Sequence, residues 1–125
     1  MNSLLVMIGG ALGALGRYQF GRLAMHVAGP GWPWGTFGVN IIGGFLMGLL
    51  AGWLARFNVG GGEQIRLLVG VGAMGGFTTF SSFSLETMLM IERGQHGAAA
   101  LYALLSVLLS VAALFAGLAL MRLVA

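Results

Sequence analysis

Four apolar runs, at 4–25, 35–57, 64–91 and 97–123, take up nearly all of this 125-residue chain and leave only short turns between them. About 20 consecutive apolar residues are enough for a helix to cross the hydrocarbon core of a bilayer. Charged residues make up 7% of the chain and hydrophobic ones 58%, where a soluble domain carries about 25% charged residues. The mean hydropathy is +0.96. These features predict an all-α membrane protein, a single transmembrane domain over 1–125 with four membrane-crossing helices and no soluble domain. The first run has no basic segment ahead of it and continues past any plausible cleavage point, so it is expected to remain a helix rather than be removed as a signal peptide.

The third run is the unusual one. Inside it lies Gly75-Gly76-Phe77-Thr78-Thr79-Phe80-Ser81-Ser82-Phe83-Ser84. Paired glycines each cost roughly 1 kcal/mol relative to alanine in a helix. The threonines are β-branched, and the serine hydroxyls compete for backbone partners. Non-helical backbone at membrane depth survives only where it is buried in protein or lines a polar cavity. The stretch therefore predicts a helix broken near 75–79, with carbonyls and hydroxyls gathered in the membrane interior. Beyond the break, Phe80 and Phe83 share one helical face, while Thr79, Ser82 and Glu86 share another. Glu86 is open to two readings: an ion-path or proton-relay carboxylate, or a group satisfied by backbone or placed near the interface.

The other runs carry fewer polar residues. The first has a small-residue face at Gly9, Gly10, Gly13 and Gly16, suited to close helix contact in lipid. Arg17 follows it, either snorkelling to the interface or standing in an aqueous vestibule. Pro30, Trp32, Pro33 and Trp34 mark an interfacial connection. The second run repeats glycine at Gly44, Gly48 and Gly52, a second packing groove, and contains Asn40 with Thr36 one turn before it. Asn40 is either interhelical glue or part of a permeation path. Glycines 60–62 suggest a flexible turn, and Glu92, Arg93 and His96 a tight polar one. The fourth run has a polar stripe at Tyr102, Ser106 and Ser110.

Several kinds of chemistry are excluded. The chain has no cysteine and no lysine, so thiol chemistry, disulfides and a phosphate-binding loop of the GxxxxGK[ST] kind fall away. Its six arginines are scattered singly and offer no basic cluster for nucleic acid. Arg56, Arg66 and Arg122 fall on one side of the membrane and Arg22 and Arg93 on the other, with Arg17 near that second side. So even a balance provides almost no positive-inside bias. A chain that inserts both ways can form an antiparallel two-fold dimer. Two broken third helices meeting at its centre would converge carbonyls that suit a hard monovalent cation better than a transition metal.

The Gly75–Ser84 stretch with Glu86 resembles the signature of the CrcB/Fluc family of small fluoride channels. Gly9-Gly10-Ala11-Leu12-Gly13-Ala14-Leu15-Gly16-Arg17-Tyr18 is similar to that family's opening pattern, and Gly35-Thr36-Phe37-Gly38-Val39-Asn40 with Gly43-Gly44 to its second-helix pattern. The match covers essentially the whole chain. It implies a channel and not an enzyme: a dual-topology homodimer in the inner (cytoplasmic) cell membrane, with two antiparallel pores that let fluoride leave the cell passively. It implies a structural, non-transported sodium ion on the two-fold axis, held by the backbone carbonyls of Gly75 and Thr78. It implies pore phenylalanines at Phe80 and Phe83, a pore amide at Asn40, hydroxyls at Ser81, Ser82 and Ser110 with Glu86 beside them, and a vestibule arginine at Arg17. Some members carry a threonine four residues beyond the Ser110 position. This chain has Leu114 there, a departure from the hydroxyl track. The rival readings are a proton-coupled exporter of small cations and a scaffold subunit that transports nothing. The exporter chemistry calls for a carboxylate midway along the first run, and there is none.

Overall fold

The computed structural model describes residues 1–57 and 61–124, and among them every regular element is helical. Helix α1 runs Asn2–Ala28, α2 Trp34–Phe57, α5 Ser81–Glu92 and α6 His96–Val124. Between α2 and α5 the chain forms α3 (Gly62–Ile65), a π-helical segment (Arg66–Met74) and α4 (Gly75–Phe77). Three stretches are long and apolar enough to cross a membrane: Trp34–Phe57, Gly62–Glu92 and His96–Val124. Helix α1 is about 40 Å long at 1.5 Å per residue, but Asn2, Arg17, Gln19 and Arg22 lower its apolar character. Of the expected glycine turn, Gly60 lies outside the described residues, Gly61 is left-handed (φ 79°) and Gly62 opens α3.

Two glycine seams hold the helices together. Helix α2 lies along α6 with Gly44 and Gly48 against the backbone of Ser110 and Leu114; a Cβ at Gly44 would come within 2.7 Å of the Ser110 carbonyl oxygen. Helix α1 lies along the π segment and α4 in the same manner. There a Cβ at Gly13 would press on the Ala73 carbonyl and lie 2.8 Å from the Phe77 nitrogen. Such small-residue faces let backbones approach closely where no hydrophobic force between helices is available.

The third apolar run is interrupted, but not by its glycines. Gly75 and Gly76 lie inside α4 with helical backbone, and the break falls at Thr78–Phe80, where Thr78 turns extended (φ −82°, ψ 160°). Gly76 is glycine for a different reason: a Cβ there would stand 3.1 Å from the Ala14 nitrogen of α1. The π winding ahead of it, in which the Gly75 N–H reaches back five residues to the Gly70 carbonyl, has no counterpart in the sequence reading. Of the few deeply buried side chains among the described residues, Phe37, Met90, Ala99 and Tyr102 cluster where the α1–α2 connection meets α5 and α6, and Val39 and Ser106 are buried apart from that cluster.

Candidate functional site

The break is held open from α2. The Asn40 Nδ2 donates to the Thr79 carbonyl at 3.0 Å, and the Thr79 N–H donates to Asn40 Oδ1 at 2.8 Å. One primary amide thus satisfies both backbone groups of the residue at the centre of the break. A second exchange follows, since the Ser82 N–H donates to Thr79 Oγ1 at 3.2 Å. Had the helix continued, the Thr79 N–H would have bonded the Gly75 carbonyl and the Ser82 N–H the Thr78 carbonyl. Both carbonyls therefore lose their helical donors at the same place.

Two cavities meet at Thr79. A groove of about 530 Å³ is lined by Asn40, Thr78, Thr79, Phe80, Phe83 and Ser110, with the Gly75 backbone and Ser106 also on its wall. A wider vestibule of about 920 Å³ is lined by Arg17, Arg22, Thr36, Thr79 and Glu86 together with the interfacial Trp32 and Trp34. Of the residues singled out in the sequence, Asn40, Gly75, Thr78, Phe80, Phe83 and Ser110 share the groove, while Arg17 and Glu86 share the vestibule. Ser81 and Ser82 stand at the start of α5 outside both linings; Ser81 Oγ is 3.2 Å from Thr79 Oγ1.

The aromatic residues differ sharply in how they are held. The Phe80 and Phe83 ring centroids are 5.6 Å apart at an interplanar angle of 45°. Phe83 also packs on Tyr102, centroid to centroid 5.3 Å, and Tyr102 is fully buried. Phe80 is 78% exposed. Tyr102 Oη donates to Glu86 Oε1 at 3.3 Å, which ties the carboxylate to α6. Arg17 Nε donates to the Gly76 carbonyl at 3.2 Å, from α1 onto the end of α4.

The groove's donors are not all engaged. Ser106 Oγ and Ser110 Oγ are buried and have no hydrogen-bond partner among the described residues. Asn40 has two amide hydrogens, one of which is committed to Thr79. Thr79, Tyr102 and Ser106 had no assigned role in the sequence reading. The i, i+4, i+8 stripe of Tyr102, Ser106 and Ser110 was the signal that marks two of them, because it puts them on the α6 face turned toward the break.

Fold and site together define a small multi-pass helical membrane protein whose groove and vestibule are built around an interrupted helix. The family described as CrcB-like protein, Camphor Resistance (CrcB), matches residues 4–118. The chain is 63% identical over 119 residues to the fluoride-specific ion channel FluC of Phenylobacterium zucineum, covering 95% of this chain and 94% of that protein. It is 59% identical over 119 residues to the protein of the same name from Novosphingobium aromaticivorans, with coverage of 94% and 93%. The Caulobacter vibrioides relative of that name is 59% identical over 123 residues, with coverage of 98% and 97%. The chain belongs to the CrcB family.

Proposed function

We propose that this protein is a passive fluoride-selective ion channel. The observation that carries the reading is a groove at a helix break, lined by donors and phenylalanine rings, in a chain whose relatives at 59% and 63% identity are named fluoride-specific channels. Fluoride is small and strongly hydrated, so a pore must replace its water with donors as it enters. The second Asn40 amide hydrogen and the hydroxyls of Ser106 and Ser110 are such donors. The edge of an aromatic ring is the positive part of its quadrupole, so Phe80 and Phe83 can turn their edges to an anion. Weak donors in series dehydrate the ion without trapping it, the balance conduction requires. Arg17 and Arg22 in the vestibule raise the local anion concentration.

The complete channel in this reading is an antiparallel homodimer of four-helix chains, each with α1 as its fourth crossing, in the inner membrane and with two pores. The near-even arginine balance supports dual insertion, and the exposed Phe80 supports a partner surface beside the groove. A central sodium ion fits the residues present. The Gly75 and Thr78 carbonyls, both on the groove wall and both deprived of their helical donors, would hold it as hard oxygen ligands. Bound there, the ion would supply fixed positive charge and hold the two copies together. With a negative-inside potential fluoride leaves the cell unaided.

Fluoride-electrode efflux from proteoliposomes, run against chloride, tests the reading. Fast uncoupled fluoride efflux with little chloride movement is expected. Dependence on an imposed proton gradient would favour a coupled exporter, and silence a scaffold.

A further inference from the structure

Helix α1 meets the third crossing along a single face, and that face does not end with its glycines. Gly9 and Gly13 are buried on it, and Arg17 is the next position of the same i, i+4, i+8 stripe. Its Nε lies 3.2 Å from the Gly76 carbonyl oxygen. Gly76 is the penultimate residue of α4 (Gly75–Phe77), and Thr78 is already extended. The carbonyls of the last helical turn have no intrahelical donors and need partners from elsewhere. Gly76 lies directly against α1, where a Cβ would meet the Gly10 carbonyl oxygen at 2.5 Å and the Ala14 nitrogen at 3.1 Å. The donor comes from α1.

We infer that Arg17 is a positioning residue that caps the broken half of the third crossing and so fixes the geometry of the break, a role distinct from its charge in the vestibule. The inference rests on the channel reading above. Arg17 clamps the backbone just before the break, and Asn40 clamps Thr79 within it. A charged donor on a carbonyl at a helix C-terminus gains from the partial negative charge there. The planar guanidinium brings Nε to Gly76, and Arg17 lines the vestibule together with Thr79 and Glu86. Lysine would bring the same charge on a flexible stem without that fork.

The test compares full-length wild type with Arg17→Lys, Arg17→Gln and Arg17→Ala in proteoliposomes, reading fluoride efflux against fluoride concentration. Capping predicts that Lys and Gln both lower maximal flux about tenfold, the scale of one lost charge-assisted bond, with the half-saturating concentration little changed. It also predicts that methylguanidinium, and not methylammonium, restores flux to Arg17→Ala. Wild-type flux in Arg17→Lys, or equal rescue by methylammonium, overturns the inference and leaves Arg17 a vestibule charge only. If Arg17→Lys does not assemble, Arg17→Ala reconstituted with each cation provides the same comparison. Wild-type protein silent to fluoride would strike the channel reading instead. The cap is then read from thermal unfolding in detergent, where methylguanidinium raises the Arg17→Ala midpoint if the inference holds and matches methylammonium if it fails.

Discussion

Asn40 and Thr79 are 39 residues apart in sequence, yet the side-chain amide of one pairs with both backbone groups of the other, at 3.0 and 2.8 Å. A helix interrupted inside a membrane leaves a donor and an acceptor without partners, and each unsatisfied group costs roughly 1–3 kcal/mol. Of the two readings open to Asn40 from sequence, glue describes its bonds to the break, and its place on the groove wall is what the permeation reading has to use. Asn40→Ala is expected to lower both the unfolding midpoint in detergent and the fluoride flux. Asn40→Asp keeps the acceptor for the Thr79 N–H but sets a carboxylate against the Thr79 carbonyl, and it should fall between Ala and wild type in stability. Intact flux per reconstituted protein in Asn40→Ala would leave only the glue.

The two phenylalanines should separate in their stability effects. Phe83 packs on the buried Tyr102 at 5.3 Å, which in turn meets Trp32 at 5.4 Å, whereas Phe80 is 78% exposed in the single chain. Phe83→Ile is expected to cost about 1 kcal/mol through the lost aromatic pair, read as a lower unfolding midpoint. Phe80→Ile should leave that midpoint near wild type. Both should cut fluoride flux sharply, and wild-type conductance in either would reject the ring-edge role.

Much of this arrangement was legible in the chain because it depends on local pattern. The glycine faces at Gly9 and Gly13 and at Gly44 and Gly48 read as packing seams and are seams. Helix length and punctuation were legible for the same reason. The position of the break was legible only to within a few residues, because propensity speaks of the isolated helix. The paired glycines look like a weakness there, but Gly76 allows a close approach to α1 while a Cβ at Gly75 would meet nothing within 4 Å, and the actual opening is set by an amide from another helix. Long-range side-chain to backbone pairs of this kind, like Tyr102 to Glu86, leave no periodic trace. The π winding of Arg66–Met74 leaves none either.

Glycine substitutions test the seams directly. Gly13→Ala would drive a methyl group into the Ala73 carbonyl and against the Phe77 nitrogen, all backbone that cannot rotate away. The helices must separate, so Gly13→Ala is expected to yield poorly assembled protein by size-exclusion chromatography. Gly97→Ala, with nothing within 4 Å of the new Cβ, is the control. It should be neutral or stabilise by up to about 1 kcal/mol through helix propensity.

The serines of α6 give the sharpest separation of conduction from stability. Ser106 Oγ and Ser110 Oγ are buried without a hydrogen-bond partner among the described residues, and both line the groove shared by Asn40, Phe80 and Phe83. A buried hydroxyl with no partner is a cost to the fold, so removing it is expected to leave stability unchanged or slightly raised. If the hydroxyls instead serve a passing anion, the same substitutions remove donors the ion needs when it has shed water. Ser110→Ala and Ser106→Ala are thus expected to match or exceed the wild-type unfolding midpoint while lowering fluoride flux. Restoring a hydroxyl one turn further along, by Leu114→Thr on the same groove wall, should recover part of the flux lost in Ser110→Ala. Flux unaltered by both serine substitutions would mean that the ion takes its donors elsewhere along the groove.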